Sequence, residues 1–183
     1  MLQVHGVEAA FSAEECDAIL VLARESEASD ARLVGRASDH NLRRAELVWL
    51  DEVEASDWIM TRIIDLVRVA NREIYGFDLS DFAESPQVAR YGAEREGHFA
   101  WHADIGDGPL AARRKLTMVV QLSDGAGYEG GALEVMPSAQ EVVASRGRGS
   151  ATLFPSFLLH RVTPVTGGER HSLTTWAHGP AFR

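Results

Sequence analysis

Four residues in the second half of the chain have the types and spacing to build a metal centre with an anion site beside it. His102 and Asp104 stand two apart at the end of the β-like run Gly97-His98-Phe99-Ala100-Trp101-His102. Alternate residues of a strand project from one face, so an imidazole and a carboxylate are presented together, as two ligands of one ion require. His160 closes the apolar stretch Phe154-Pro155-Ser156-Phe157-Leu158-Leu159, where a surface histidine has no special reason to sit. Two histidines and one carboxylate on one face of an octahedral ferrous ion leave three positions open. Zinc prefers a tetrahedral set, and the single cysteine, Cys16, offers no thiolate cluster. Arg170, ten residues after His160, enters a further β-run at its inward end. A guanidinium buried there needs an anion, and a carboxylate gripped in bidentate fashion is its natural partner. Singly, each residue has an ordinary reading: a chance His-x-Asp, a satisfied core or edge histidine, a surface arginine. Together they are far harder to set aside.

A sheet must hold such a set, and the sequence supplies one. After Pro86 the chain becomes short β-like runs punctuated by Gly and Pro: Gln87–Tyr91, Gly97–His102, Leu116–Leu122, Ala132–Val135, Glu141–Ala144, Ser150–Phe154, Leu158–Val162 and Ser172–His178. Eight short strands with regular turn signals predict an antiparallel sandwich or barrel, and a jelly roll holds eight in two facing sheets. The first half reads as helical. Ser12 and Glu15 form a capping box for a helix over 12–28, with Cys16, Ile19, Leu20, Leu22 and Ala23 as its apolar stripe. Residues 29–46 are polar and irregular, and Leu47–Leu50 is a short strand. A second helix runs from about Ser56 to Tyr75, its apolar side made by Trp58, Ile59, Ile63, Leu66, Val67, Ala70 and Ile74, with Gly76 as its stop. Helices first and strands afterwards predict an α+β fold, with the helices packed on one face of the roll. With no repeat and no linker, residues 1–183 are expected to form one domain: a helical support region over 1–85 and a jelly-roll core over 86–183.

The 27 acidic against 18 basic residues give a net charge of −9, a field that repels polyphosphates and argues against nucleic acid as a partner. Arg43-Arg44 and Arg113-Arg114-Lys115 are read as solvated charged faces rather than anion sites. No apolar run approaches a membrane span, and the N-terminus lacks the cationic head and apolar core of a secretory signal, so a cytoplasmic location is the default. His5 and His40 fall in terminal or loop context, and His171 alternates away from Arg170, facing outward. The four tryptophans are expected in the core, with only Trp101 and Trp176 near the site.

His102-x-Asp104, His160 and Arg170, all within β-runs, resemble the iron(II)/2-oxoglutarate-dependent dioxygenase superfamily, and within it the prolyl 4-hydroxylase and prolyl/lysyl hydroxylase-domain branch. The likeness spans residues 86–178. It extends to the lead-in Arg90-Tyr91, to Tyr128-Glu129-Gly130-Gly131-Ala132-Leu133, to Leu153-Phe154-Pro155, and to His160-Arg161-Val162-Thr163-Pro164-Val165.

The resemblance implies a double-stranded β-helix, with iron(II) on His102, Asp104 and His160. It implies 2-oxoglutarate as cosubstrate, with Arg170 on its far carboxylate and Tyr91, Ser172, Thr174, Gln121 and Trp176 around it. Dioxygen would be consumed, an unactivated C–H hydroxylated, and succinate and CO2 released, with ascorbate in support. A peptidyl prolyl, other peptide or protein, or amino-acid-like substrate is implied, met by His98, Phe99, Trp176 and His178. Phe99 stands where collagen-type relatives have tyrosine, and Arg170 where they have lysine, so the likeness leans towards the oxygen-sensing and bacterial members. Two other readings compete: a cupin-like metal- or ligand-binding sensor without turnover, and an oxidative demethylase of nucleic acid, which the acidic balance disfavours.

Overall fold

A computed structural model describes residues 3–30, 43–50 and 56–182. Helix α1 (Ala13–Asp30) opens on the expected capping box: Ser12 N–H donates to Glu15 Oε2 at 2.7 Å, and Glu15 N–H donates to Ser12 Oγ at 3.1 Å. Helix α2 (Asp57–Ala70) buries Ile59, Ile63, Val67 and Ala70, one stripe at spacings of four and three. A π-turn over Asn71–Tyr75 continues it, and Gly76, at φ +65°, ends it in the left-handed region that favours glycine. Arg62 locks the helices together, with one nitrogen 2.8 Å from Glu15 Oε1 and another donating to Ala10 O at 2.8 Å.

Among the described residues twelve strands form two antiparallel sheets. The larger has the order β1 (His5–Val7), β10 (Ala151–Pro155), β6 (Arg114–Gln121), β12 (Val165–His178), β4 (Gln87–Gly92) and β3 (Glu46–Trp49), and β7 (Tyr128–Gly130) joins the start of β12. The smaller has the order β2 (Arg43–Arg44), β5 (His98–His102), β11 (Leu159–Val162), β8 (Leu133–Met136) and β9 (Val142–Val143). The jelly roll with helices on one face is as expected. The short strand expected over Leu47–Leu50 is β3, and β1 and β2 add two further edge strands to the first half that were not expected. His40, and most of the irregular segment, lie outside the described residues.

Two apolar clusters explain the layering. Ile19, Ile59 and Ile63 from the helices meet Leu116, Met118, Val120, Leu153 and Leu173 on the outer face of the larger sheet. The inner faces join through Ala89, Tyr91, Val119 and Phe154 with Leu133, Val135, Leu158 and Val162. Central strands β6 and β12 are therefore covered on both faces, which gives them long buried runs. Burial of each large aliphatic side chain contributes about 1.5–3 kcal/mol. Along β12, Leu173 and Ala177 face the helices while Arg170, Ser172, Thr174 and Trp176 face the space between the sheets. No helix among the described residues is long and apolar enough to cross a membrane.

Candidate active site

His102 at the end of β5 and His160 in β11 are directly paired across the smaller sheet, and their ring centroids stand 4.1 Å apart. Two residues beyond β5, Asp104 is drawn in by its N–H, which donates to Ser156 O at 2.9 Å, and by Arg114, which donates to its carbonyl at 3.1 Å. Its carboxylate oxygens come 3.6 Å from His102 Nε2 and 3.4 Å from His160 Nε2. One ligand atom from each of the three residues fits within a 4.8 Å spread, a set that could hold one metal ion.

The supporting bonds orient all three side chains. His102 Nδ1 donates to Ala100 O at 2.7 Å, and His160 Nδ1 donates to Leu158 O at 3.0 Å. A ring nitrogen that donates carries the proton, so both Nε2 lone pairs turn to the shared point. Thr117 Oγ1 donates to Asp104 Oδ2 at 2.7 Å, and Ser156 Oγ lies 3.0 Å behind it. Burial by itself would favour a neutral Asp104; hydrogen bonding to His102 and Thr117, and the charges the two imidazoles carry when protonated, outweigh it and hold the carboxyl below its ordinary range. Burial pushes His160 below its ordinary value, against the pull of Asp104.

The register of β5 departs from simple alternation. His160 pairs with His102 but Val162 pairs with Phe99, so two steps on β11 span three on β5, the signature of a bulge. Alternation predicted His98 on the face of His102; the bulge brings Phe99 there instead. The Phe99 ring stacks on His102 at 3.4 Å between centroids and 16° between planes. His98 Nδ1 bonds Glu96 O, and His98 does not line the cavity.

From the three ligands a cavity of about 380 Å³ runs between the sheets, past Tyr91, Ser172, Thr174 and Trp176 to Arg170. Arg170 is 2% exposed and pairs with Tyr91 across β12 and β4. Its Nε donates to Gln121 Oε1 at 3.1 Å, its Cζ lies 5.5 Å from the Tyr91 ring centroid, and its Nη1 is buried with no partner. Gly131, at φ +60°, makes room: a Cβ there would stand 3.2 Å from Arg170 Cδ and 2.8 Å from Val165 Cγ2. An orphaned buried cation opposite a His–Asp–His set fits a small dicarboxylate that has one end on a metal and the other on the guanidinium.

Several expected residues stand elsewhere. Gln121 does not line this cavity; it steadies Arg170 and donates to Tyr128 Oη at 2.9 Å. His178, expected in the groove, is fully buried: Ala83 N–H donates to its Nδ1 at 3.2 Å, so its Nε2 carries the proton to Glu84 at 3.0 Å. Glu84 also holds Arg114 through two bonds of 2.6 and 2.5 Å, and Arg114 Cζ lies 3.9 Å over Trp176. His171 is not outward-facing, but half-buried beside Leu20 and Ala23 of α1. Trp101 lies under Arg161 rather than in the cavity, whereas Trp49, 6.0 Å from Trp176, does line it. Arg43 and Arg114, read as solvated, are cavity residues; Arg44 and Arg113 turn to Glu96 and Asp81. The alternation within each basic pair was the available signal.

Residues 86–178 match the 2OG-Fe(II) oxygenase superfamily. The chain is 39% identical over 83 residues to a PKHD-type hydroxylase of Alteromonas mediterranea, a stretch that is 43% of this chain and 37% of that protein. It is 29% identical over 150 residues to a PKHD-type hydroxylase of Sphingopyxis alaskensis, covering 80% of this chain and 67% of the relative. The chain thus spans from about a third to two thirds of these relatives' length. Among solved structures, a Pseudomonas putida prolyl-4-hydroxylase superposes with a TM-score of 0.72 at 25% identity, over 97% of this chain and 93% of that one. A Trichoplax adhaerens prolyl hydroxylase, in complex with a hypoxia inducible factor peptide fragment, shares the fold with a TM-score of 0.75 at 18% identity, over 96% and 83%. With half of its length matching, and that half being the strands that bring His102, Asp104, His160 and Arg170 to one cavity, this chain belongs to the 2OG-Fe(II) oxygenase superfamily.

Proposed function

We propose that the chain is an iron(II)- and 2-oxoglutarate-dependent hydroxylase acting on a peptidyl prolyl, other peptide or protein, or amino-acid-like substrate. The observation that carries this is the buried, unpaired Nη1 of Arg170 in the cavity headed by the His–Asp–His cluster. The names of the relatives, PKHD-type hydroxylase and prolyl-4-hydroxylase, support the substrate class.

His102, Asp104 and His160 would hold iron(II), and Arg170 the far carboxylate of 2-oxoglutarate. With dioxygen, the bound pair supplies the oxidising equivalents for hydroxylating a C–H bond, with release of succinate and CO2. The chain's own residues hold and orient. Thr117 and the Ala100 and Leu158 carbonyls fix the three ligands, and Gln121 fixes the guanidinium. Tyr91, Ser172 and Thr174 offer polar groups along the cosubstrate. Phe99, Val119, Leu133, Val162 and Trp176 wall the cavity and exclude water. No side chain is assigned as a general base.

The test is succinate formation from 2-oxoglutarate by the wild-type protein with iron(II), ascorbate and air, alongside a mass-spectrometric search for a +16 product among peptides and free amino acids. Succinate release that His160→Ala abolishes is the expected result. Release no greater than that of His160→Ala would overturn the reading.

A further inference from the structure

Three guanidiniums line the cavity, in a chain of net charge −9, against the single carboxylate of Asp104. Two have assigned work. Arg170 faces the cosubstrate, and Arg114 is neutralised by Glu84. The third is Arg43, whose charge meets no carboxylate among the described residues. Its Nη2 donates to the neutral Oε1 of Gln87 at 3.0 Å, and its Nε is buried with no partner. It is nonetheless firmly placed. The β2–β5 ladder pairs Arg43 with Phe99, and its Cζ lies 4.5 Å from the Phe99 ring centroid. Phe99 in turn stacks on His102, so this cation lies one aromatic ring away from the candidate metal ligands. A second donor in the same cavity is also unmatched: Trp176 Nε1 is buried without a partner.

Buried donors without acceptors are rare in native proteins, and those lining a cavity mark where a ligand supplies the acceptor. Of the two carboxylates of the cosubstrate, one would lie at the metal and the other on Arg170, which leaves neither for Arg43. We propose that Arg43, together with the Trp176 indole N–H, binds a carboxylate on the substrate next to the carbon that is hydroxylated. This rests on the hydroxylase reading and narrows its substrate class to anionic molecules: either a terminal α-carboxylate, or an acidic side chain adjacent to the reacting residue.

Binding is read from the tryptophan fluorescence of the protein loaded with manganese(II) and 2-oxoglutarate, since Trp49 and Trp176 line the cavity. One probe pair is N-acetyl-L-proline against N-acetyl-L-prolinamide. The other is the capped dipeptide Ac-Pro-Glu-NH2 against Ac-Pro-Gln-NH2. The charged member of one pair is expected to bind about tenfold or more tighter than its neutral isostere. Which pair discriminates identifies the source of the carboxylate. In Arg43→Gln the charged-to-neutral ratio collapses towards one. Arg43→Lys keeps the charge but loses the planar fork, so it retains part of the ratio and serves if the glutamine variant misfolds by circular dichroism. Equal or weaker binding of the charged member in both pairs, no fluorescence response from any member, or an unchanged ratio in folded Arg43→Gln would each overturn the proposal. Absence of succinate from the wild type would instead count against the hydroxylase reading, and the binding ratios remain readable without turnover.

Discussion

Replacing Arg170 by Met separates what the residue contributes to folding from what it contributes to binding. The guanidinium is 2% exposed, burial pushes its pKa below the ordinary value, and its Nη1 has no partner. Exchanging such a charge for an apolar side chain of similar length is neutral or stabilising by about 1–4 kcal/mol. Against that stands the lost bond to Gln121, whose unpaired Oε1 costs about 1–3 kcal/mol. The ligand-free variant should therefore unfold within about 3 kcal/mol of wild type. Binding should respond very differently. Removing one partner of a buried, hydrogen-bonded charge pair costs about 2–5 kcal/mol, a loss of roughly 30- to 5,000-fold in 2-oxoglutarate affinity. Thermal unfolding with manganese(II) reads both effects. At a 2-oxoglutarate concentration of about 100 Kd the wild type gains about 2.7 kcal/mol, or roughly 5–10 °C for a chain of this size. Arg170→Met should lose most of that gain on adding 2-oxoglutarate, whatever its ligand-free melting temperature within the margin above. A variant that still responds to 2-oxoglutarate like wild type, or that loses more than about 3 kcal/mol unliganded, would refute the assignment.

Other perturbations follow from neighbouring contacts. Thr117→Val keeps the shape of a fully buried side chain but removes the hydroxyl 2.7 Å from Asp104; metal affinity should fall about 10- to 100-fold in a calorimetric manganese(II) titration, with the fold intact. Glu84→Gln strips the charge that faces Arg114 and His178, and urea unfolding should show a loss of about 2 kcal/mol, less than for a fully buried pair because Glu84 and Arg114 keep some solvent contact. Tyr75, whose Oη donates to Leu153 O at 2.8 Å, has its phenol pushed up by burial. A raised folded-state pKa gives stability that is complete below the unfolded value near 10 and is lost as pH rises above it. Tyr75→Phe should abolish this alkaline loss, while costing about 1 kcal/mol at neutral pH.

The sequence carried the strands of the second half and the cavity-lining faces of β11 and β12 because their side chains follow the period of a sheet. Ser172, Thr174 and Trp176 share the interior with Arg170 for that reason alone. Phe99 lines the cavity as expected, but His98 was misplaced because a bulge is a one-residue event, and it leaves the composition of β5 unchanged. His178 keeps the face of Trp176 by alternation, but β12 shifts register between Ala177 and His178, and the histidine turns to Glu84. Arg43 and Trp49 were not legible as cavity residues, since they belong to edge strands that are placed only by pairing with β5 and β4, about 55 and 40 residues on. Arg114 looked like one member of a charged loop, and only its pairing with Glu84 and its position over Trp176 make it part of the interior.

The most direct test of a shared metal and cosubstrate site is an anaerobic titration of the protein with iron(II) and 2-oxoglutarate, followed in the visible. A weak charge-transfer absorption should appear only when both are present, saturate at one iron per chain, and vanish in His102→Ala, Asp104→Ala and His160→Ala. Iron bound with equal affinity by all three variants, or no absorption from the folded wild type, would contradict the account.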